Sequence, residues 1–444
     1  MRVMLLAVLV CGHVSAIAAG DFEDNRRANW HQWRGPEANG FAPNADPPTH
    51  WDEDTNVKWK VAIEGKGEST PIVWGDRIFL TTAIETQREE EQPPDDQAEA
   101  PGGNPFRIQR PTHYHQFVVQ CYDRADGRLL WQRVVTEQLP HEGHHRDHGF
   151  ASPSPVTDGQ YVYASFGSRG IYCLDMDGNP QWERDLGDLS IYRFFGEGSS
   201  PVLEDDTLIV NWDHEGDSYL YALDARTGKD KWRVAREEGS TWSTPLVAHH
   251  DGRKQIIVNS NTKARGYDFD TGEVLWECGG QTRAIIPCPI VHKGLVYLMS
   301  GYPKSALVAV PLDARGDVTG TEKVAWTRDS DTPYCPSALL YGGKLYFNKS
   351  NRAILTCLDA RTGEPVIEKQ RLPDLMNIYA SPVGAAGRIY FTGRDGTTLV
   401  LADGPQLEVL ATNKLDESID ASPALVGNEI LLRGKQHLYC ISAQ

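Results

Sequence analysis

Asp224-Ala225-Arg226-Thr227-Gly228-Lys229-Asp230-Lys231-Trp232 is the stretch that decides the fold. An Asp carboxylate can accept from the backbone N–H groups just downstream, and Gly supplies a positive φ. Together they specify a tight hairpin turn. The Trp eight residues after the Asp falls on the strand that leaves the turn. The pattern returns at Asp359-Ala360-Arg361-Thr362-Gly363, with close variants at Asp268-Phe269-Asp270-Thr271-Gly272 and Asp123-Arg124-Ala125-Asp126-Gly127. Trp131 and Trp276 keep the spacing of eight, and Trp182 follows Asp175 by seven because its turn is one residue shorter.

A second periodic mark lies upstream of each such turn. Thr70-Pro71, Ser154-Pro155, Ser200-Pro201, Thr244-Pro245, Cys288-Pro289, Ser381-Pro382 and Ser422-Pro423 each head a short β-rich run, and Ser337-Ala338 is an eighth copy. From Pro155 the steps are 46, 44, 44, 49, 44 and 41 residues, and the long step from Pro71 to Pro155 contains an insertion. Proline suits the first residue of an inner strand, where a missing N–H costs least. Eight residues after the anchor comes an apolar strand position: Phe79, Tyr163, Ile209, Tyr297, Tyr346, Tyr390 and Leu431. Each unit is thus four short strands, an amphipathic sheet that cannot bury both faces alone. Packing the units radially buries them, which predicts an all-β, eight-bladed β-propeller with four-stranded blades. The last unit ends at Leu438-Tyr439-Cys440-Ile441 without an outer strand, and Asn56-Val57-Lys58-Trp59-Lys60-Val61 is an orphan strand with a Trp. The N-terminal strand is therefore expected to complete the last blade and leave no open seam.

The predicted organisation is a signal peptide over residues 1–20, an extension over 21–54 and the propeller over 55–444. The leader rests on Arg2, the apolar run Val3 to Val10 and the small residues Ala16-Ile17-Ala18. That run is too short to span a bilayer, so a periplasmic or extracellular protein is expected. About residues 85–112, rich in Glu, Asp, Pro and Gly, read as a mobile acidic loop. The formal charge of −17 repels nucleic acid and anionic lipid. Seven cysteines remain beyond the leader. Cys121, Cys173, Cys357 and Cys440 hold equivalent places on separate blades and read as buried small apolar residues, while Cys288 and Cys335 are the one pair to consider for a disulfide.

These units resemble the PQQ-like repeat propellers, which include the quinoprotein alcohol dehydrogenases and BamB-like assembly proteins. The resemblance covers roughly residues 30–444, and Trp30-His31-Gln32-Trp33-Arg34-Gly35-Pro36 is similar to the opening of secreted bacterial members. It implies a ligand on the loop-rich face of the channel, where Glu197, Trp212, Trp242, Arg283, Tyr379, Arg394, Asp395 and Asp420 are the expected binding residues. A polar small molecule, a sugar or a protein partner suits this mixture. Two clusters are metal candidates. Asp213, Glu215 and Asp217 alternate like oxygen ligands for a hard cation, with His214 a further candidate among them. His141, His144, His145 and His148 could hold a transition metal, although Pro140 and Gly143 oppose the helix that a zinc-protease H-E-x-x-H needs. The resemblance also raises a dehydrogenase using PQQ with Ca²⁺, but no Cys-Cys pair is present. With no coherent catalytic set legible, no catalytic residue is assigned and a binding or scaffold module is the first expectation, a carbohydrate-active protein another.

Overall fold

The computed structural model describes residues 25–91 and 100–443. The leader and part of the acidic insertion lie outside the described residues. Eight antiparallel sheets form an eight-bladed propeller. Six blades take their four strands consecutively, and in the fifth blade Gly316–Asp317 leaves to pair with the fourth before Trp326–Arg328 completes it. In the eighth, Val57–Ala62 pairs antiparallel with His437–Ser442, setting Trp59 opposite Cys440 and Val61 opposite Leu438. The ring is closed by its own N-terminal strand, as the orphan segment around Trp59 predicts. Arg433 strengthens this seam from the last blade. Its Nη1 donates to Ser69 Oγ at 2.5 Å and to the Thr81 carbonyl at 2.9 Å, both on blade one.

The structure gives both repeat marks a mechanical reason. Asp224 Oδ1 accepts the N–H groups of Arg226 at 3.1 Å and Thr227 at 2.9 Å, tying the hairpin. The Gly of that turn, at φ 68°, leaves room for the outer-strand Trp of the preceding blade: a Cβ on Gly228 would lie 2.6 Å from the Trp182 ring. The same Trp donates its indole N–H to the Ala225 carbonyl at 2.9 Å. Trp59, Trp131 and Trp232 repeat this bond with Arg124, Met176 and Phe269 on their next blades. Turn and Trp therefore serve different blades, and each pair is a clasp between neighbours. Trp276 departs: it bonds Gln255 within its own blade, and Gly316–Asp317 adds a parallel strand beside it.

The residues before the anchors form a ring around the axis, bonded in series except between Ser422 and Thr70, whose hydroxyl has no hydrogen-bond partner among the described residues. The Thr70 N–H donates to Ser154 Oγ, and the step repeats through Ser200, Thr244, Cys288, Ser337, Ser381 and Ser422, over 2.9–3.2 Å. A small side chain with an acceptor atom is needed at every step, which explains the Ser, Thr and Cys in the motif. The Cys288 sulfur belongs to this ring and is free, as is Cys335. The sulfur of Cys335 instead accepts from Asn351 at 3.3 Å, so the two considered as a disulfide do not pair.

The N-terminal extension crosses the far end of the axis. Trp30 bridges to Val73 on blade one, the His31 carbonyl accepts from Thr157 on blade two, and the Gly40 carbonyl accepts from Gly384 on blade seven. Arg34, 2% exposed, donates to the carbonyls of Ala338 at 2.7 Å and Pro382 at 3.0 Å. Burial lowers its pKa to about 10, which still leaves it charged at neutral pH. This segment is a plug beneath the axial ring.

Candidate functional site

Above the plug lies a cavity of about 550 Å³ on the channel axis, with Trp33 of the extension among its lining residues. Ser200, Thr244, Ser381 and Ser422 of the ring also line it. Two unlike walls rise from there.

One wall is a chain of charges from blades one, two, seven and eight. Arg394 grips Asp420 through Nε at 2.6 Å and Nη2 at 3.0 Å, and reaches Asp147 at 3.1 Å. Lys435 bridges Asp420 and Glu68, at 2.9 Å each. Tyr379 lies under the Arg394 guanidinium, 4.0 Å from the ring centroid, and its hydroxyl donates to Asp147 at 3.3 Å. Burial opposes the Glu68 charge, but the Lys435 ammonium leads the contributions that more than offset it and hold the carboxyl below its ordinary range. Asp147 is lowered in the same way by Arg394 against partial burial. His148 is half-buried at the cavity wall, and burial drops it to about 4, so it is neutral at pH 7.

The facing wall is aromatic. Trp242 is 9% exposed and donates its indole N–H to the Gly196 carbonyl at 2.6 Å. Phe195 tilts against it at 6.4 Å between centroids. Tyr302 and Tyr334 form a second ring pair at 5.3 Å. Arg283 stands exposed at the rim.

Of the residues expected from the sequence, Trp242, Arg283, Tyr379 and Asp420 line this cavity, and Arg394 holds its charged wall together. Three do not join them. Trp212 is 3% exposed and packs in the core between blades. Asp395 turns to Lys414 and Thr397. Glu197 sits behind the aromatic wall, where its carboxylate accepts from the Ser168 N–H at 2.8 Å and hydroxyl at 2.5 Å. Sequence reasoning missed Glu68, Trp33 and Phe195. Only Trp33 carried a signal, as part of the non-repeating opening motif.

The metal candidates are dispersed. Asp213 is fully buried and grips Arg236 at 2.6 and 3.0 Å, since a carboxylate removed from water takes the nearest guanidinium. His214 bonds the Asp217 carbonyl, Glu215 bonds Ser240, and Asp217 is exposed. The four histidines lie on irregular chain and line different spaces. His141 faces the Leu189 carbonyl at 2.7 Å, His144 faces the His145 carbonyl, and His145 lies 3.8 Å from Asp147. Among the described residues no group of three or more His, Cys, Asp or Glu side chains is arranged to hold a metal ion.

The acidic insertion is also placed more definitely than its composition implied. Arg77–Glu89 and His113–Asp123 extend its base as a long hairpin. Beyond them, the Pro101 carbonyl accepts from the Arg193 N–H at 2.7 Å, and Phe106 meets His145 edge-on at 5.2 Å. Phe106 thereby reaches the channel rim.

Comparison with known proteins agrees with this architecture. The family model described as outer membrane protein assembly factor BamB matches residues 115–369. No curated protein matches the sequence. Similar solved structures include BamB from Moraxella catarrhalis, 12% identical, with a TM-score of 0.57 over 86% of this chain and 98% of that one. A europium-containing methanol dehydrogenase is 11% identical, with a TM-score of 0.65 over 94% and 98%. The computationally designed Ika8 protein is 10% identical, with a TM-score of 0.56 over 87% and 99%. At these identities the structures share the fold alone, and it is the family match over more than half of the sequence that assigns this chain to the PQQ-repeat propellers of the BamB family.

Proposed function

We propose that the protein is an exported binding module that holds a small polar ligand, best a carbohydrate, in its channel cavity. The observation that carries this reading is the opposition of the two walls. A sugar ring offers an apolar C–H face that stacks on aromatics and a rim of hydroxyls that hydrogen-bonds to carboxylates and guanidinium groups. Trp242 and Phe195 suit the first, and Asp147, Asp420 and Arg394 the second. The wall is already ordered by its own ion pairs, so little freedom is lost on binding. Export rests on the leader-like N-terminus, and no described helix is long and apolar enough to cross a membrane.

A quinone cofactor with a cation does not fit the residues present. Asp147, Asp420 and Glu68 are already engaged by Arg394 and Lys435, whose charges stand where a cation would have to sit. The family description favours protein partners as a second reading, and the channel rim would then be the contact face.

Titration with mono- and disaccharides, read by tryptophan fluorescence and calorimetry, tests the proposal. Binding is expected in the intact protein, with a loss of about tenfold or more in Trp242→Ala. Sugar binding that is unchanged in Trp242→Ala and Arg394→Gln, or absent throughout, would overturn it.

A further inference from the structure

A second cavity, of about 610 Å³, lies beside the channel between blade one, the insertion and the histidine-rich approach to blade two. Its electrostatics run against the chain. The protein carries a formal charge of −17. Yet Lys66, Arg107 and Arg146 line this cavity, with Glu85 the one carboxylate among its lining residues. Burial keeps His115 and His145 below the ordinary imidazole range, so they are neutral at pH 7 and do not alter that balance.

The cations are positioned and not consumed. The Lys66 backbone is fixed to Ala83 by two hydrogen bonds of 2.8 and 2.9 Å. Arg107 lies within a loop that Asn104 closes onto Ile108 with bonds of 2.7 and 2.8 Å. Among the described residues neither the Lys66 ammonium nor the Arg107 guanidinium has a carboxylate within 4.0 Å, although ion pairs are frequent elsewhere on the surface. Beside Gln109 and the histidines, the lining carries an apolar patch. Phe150 is faced edge-on by His144 at 4.5 Å and His115 at 4.9 Å, and Phe106, Ile84 and Ile108 complete it.

We infer that this cavity is a binding site for a small organic anion: an acidic head between Lys66 and Arg107, and an aromatic or aliphatic body against Phe106 and Phe150. Two cations with no carboxylate within 4.0 Å among the described residues, in an acidic protein, form an electrostatic funnel for one charge type. A volume of this size that joins an apolar patch to polar and charged groups suits a small amphipathic molecule. Phe106 and His145 also line the channel cavity, so the two spaces share a wall.

Two fluorescent probes that differ in one charge test this assignment. Anilinonaphthalene sulfonate should bind the intact protein at one saturable site, and N-phenyl-naphthylamine, its uncharged counterpart, about tenfold more weakly or worse. Raising the salt should weaken only the sulfonate. The Lys66→Glu/Arg107→Glu double variant should lose about tenfold or more of the sulfonate affinity, whereas Trp242→Ala should retain it. Equal affinity for the two probes, sulfonate binding that ignores salt, loss in Trp242→Ala with the double variant unaffected, or no saturable binding would each overturn the assignment. The charge and salt comparisons use the intact protein, so they decide the matter even if the double variant fails to fold.

Discussion

Replacing Asp213 by Ala removes the carboxylate from a site that no solvent reaches, as both Asp213 and Arg236 have fully buried side chains. Four bonds disappear: two from Arg236 at 2.6 and 3.0 Å, one from Thr241 at 2.9 Å and one from Ser260 at 3.3 Å. Burial works against the Arg236 charge, but Asp213 and Tyr267 hold its pKa above the ordinary value, so it stays ionised. A guanidinium stays charged even without this carboxylate, so the variant carries a buried charge whose hydrogen-bond partners are the neutral Tyr267 and Ser260, with Glu238 as its remaining nearby counter-charge. Breaking a buried pair in this way costs about 3–5 kcal/mol. Removing both charges in Asp213→Leu/Arg236→Met should recover most of that loss, because the desolvation cost goes with them. Urea unfolding of the intact protein, both single variants and the double variant measures each side of the cycle. Asp213→Ala within about 1 kcal/mol of the intact protein would refute the reasoning. So would a rise in stability on adding Ca²⁺ that Asp213→Ala abolishes, which would return the residue to a metal role.

Removing residues 21–62 should lower the melting temperature by circular dichroism and produce aggregates on gel filtration, since His437–Ser442 becomes an open edge; a monomer that melts normally would contradict the closure. Trp59→Ala is milder and should cost about 3–5 kcal/mol of stability in denaturant titration. Gly228→Ala places a methyl group against Trp182 at positive φ and should cost roughly 1–3 kcal/mol by the same measurement. Stability should also peak in mildly acidic solution. Burial pushes Glu142 up to about 8 and Glu197 up to about 7, so these groups stabilise the fold below the unfolded carboxyl range and lose that contribution as pH rises towards 8. Burial lowers His148 to about 4 and His31 to about 3, so their contribution is present above the unfolded imidazole value and is lost as pH falls from there through 4. Unfolding midpoints across pH 4–9 check both limbs, and Glu142→Gln/Glu197→Gln should flatten the alkaline one.

The ring was legible because each of its demands recurs. A clasp such as Gly228 beneath Trp182 needs the same two residues on every blade that uses it, and the axial ring needs a small acceptor before each anchor. Repetition turns a local rule into a period that can be read without coordinates. Asp213 and Trp212 show where that reading stops. Both stand in a loop whose composition resembles a ligand site, but the local pattern does not reveal that Arg236, on the outer strand of the same blade, will claim the carboxylate. Trp212 differs from a surface aromatic only by the blade that covers it.

The site is harder to read for the opposite reason: no two blades contribute the same thing to it. Arg394 from blade seven meets Asp147 from the approach to blade two and Asp420 from the approach to blade eight, and Lys435 joins Asp420 to Glu68 of blade one. No spacing rule predicts such a chain, because ring closure and not sequence distance brings its members together. The extension and the insertion, the two segments outside the repeat, then finish the space. Trp33 contributes to the channel lining, and Phe106 divides the channel from the cationic cavity. A propeller without these additions would be an open tube with a girdle of hydroxyls. With them, it has two bounded cavities sharing a wall, one lined by paired charges of both signs and one with cations in excess. The non-repeating residues, few as they are, therefore hold the functional information of this chain, and substitutions at Trp33, Phe106 and Arg394 should change what it binds before they change how it folds.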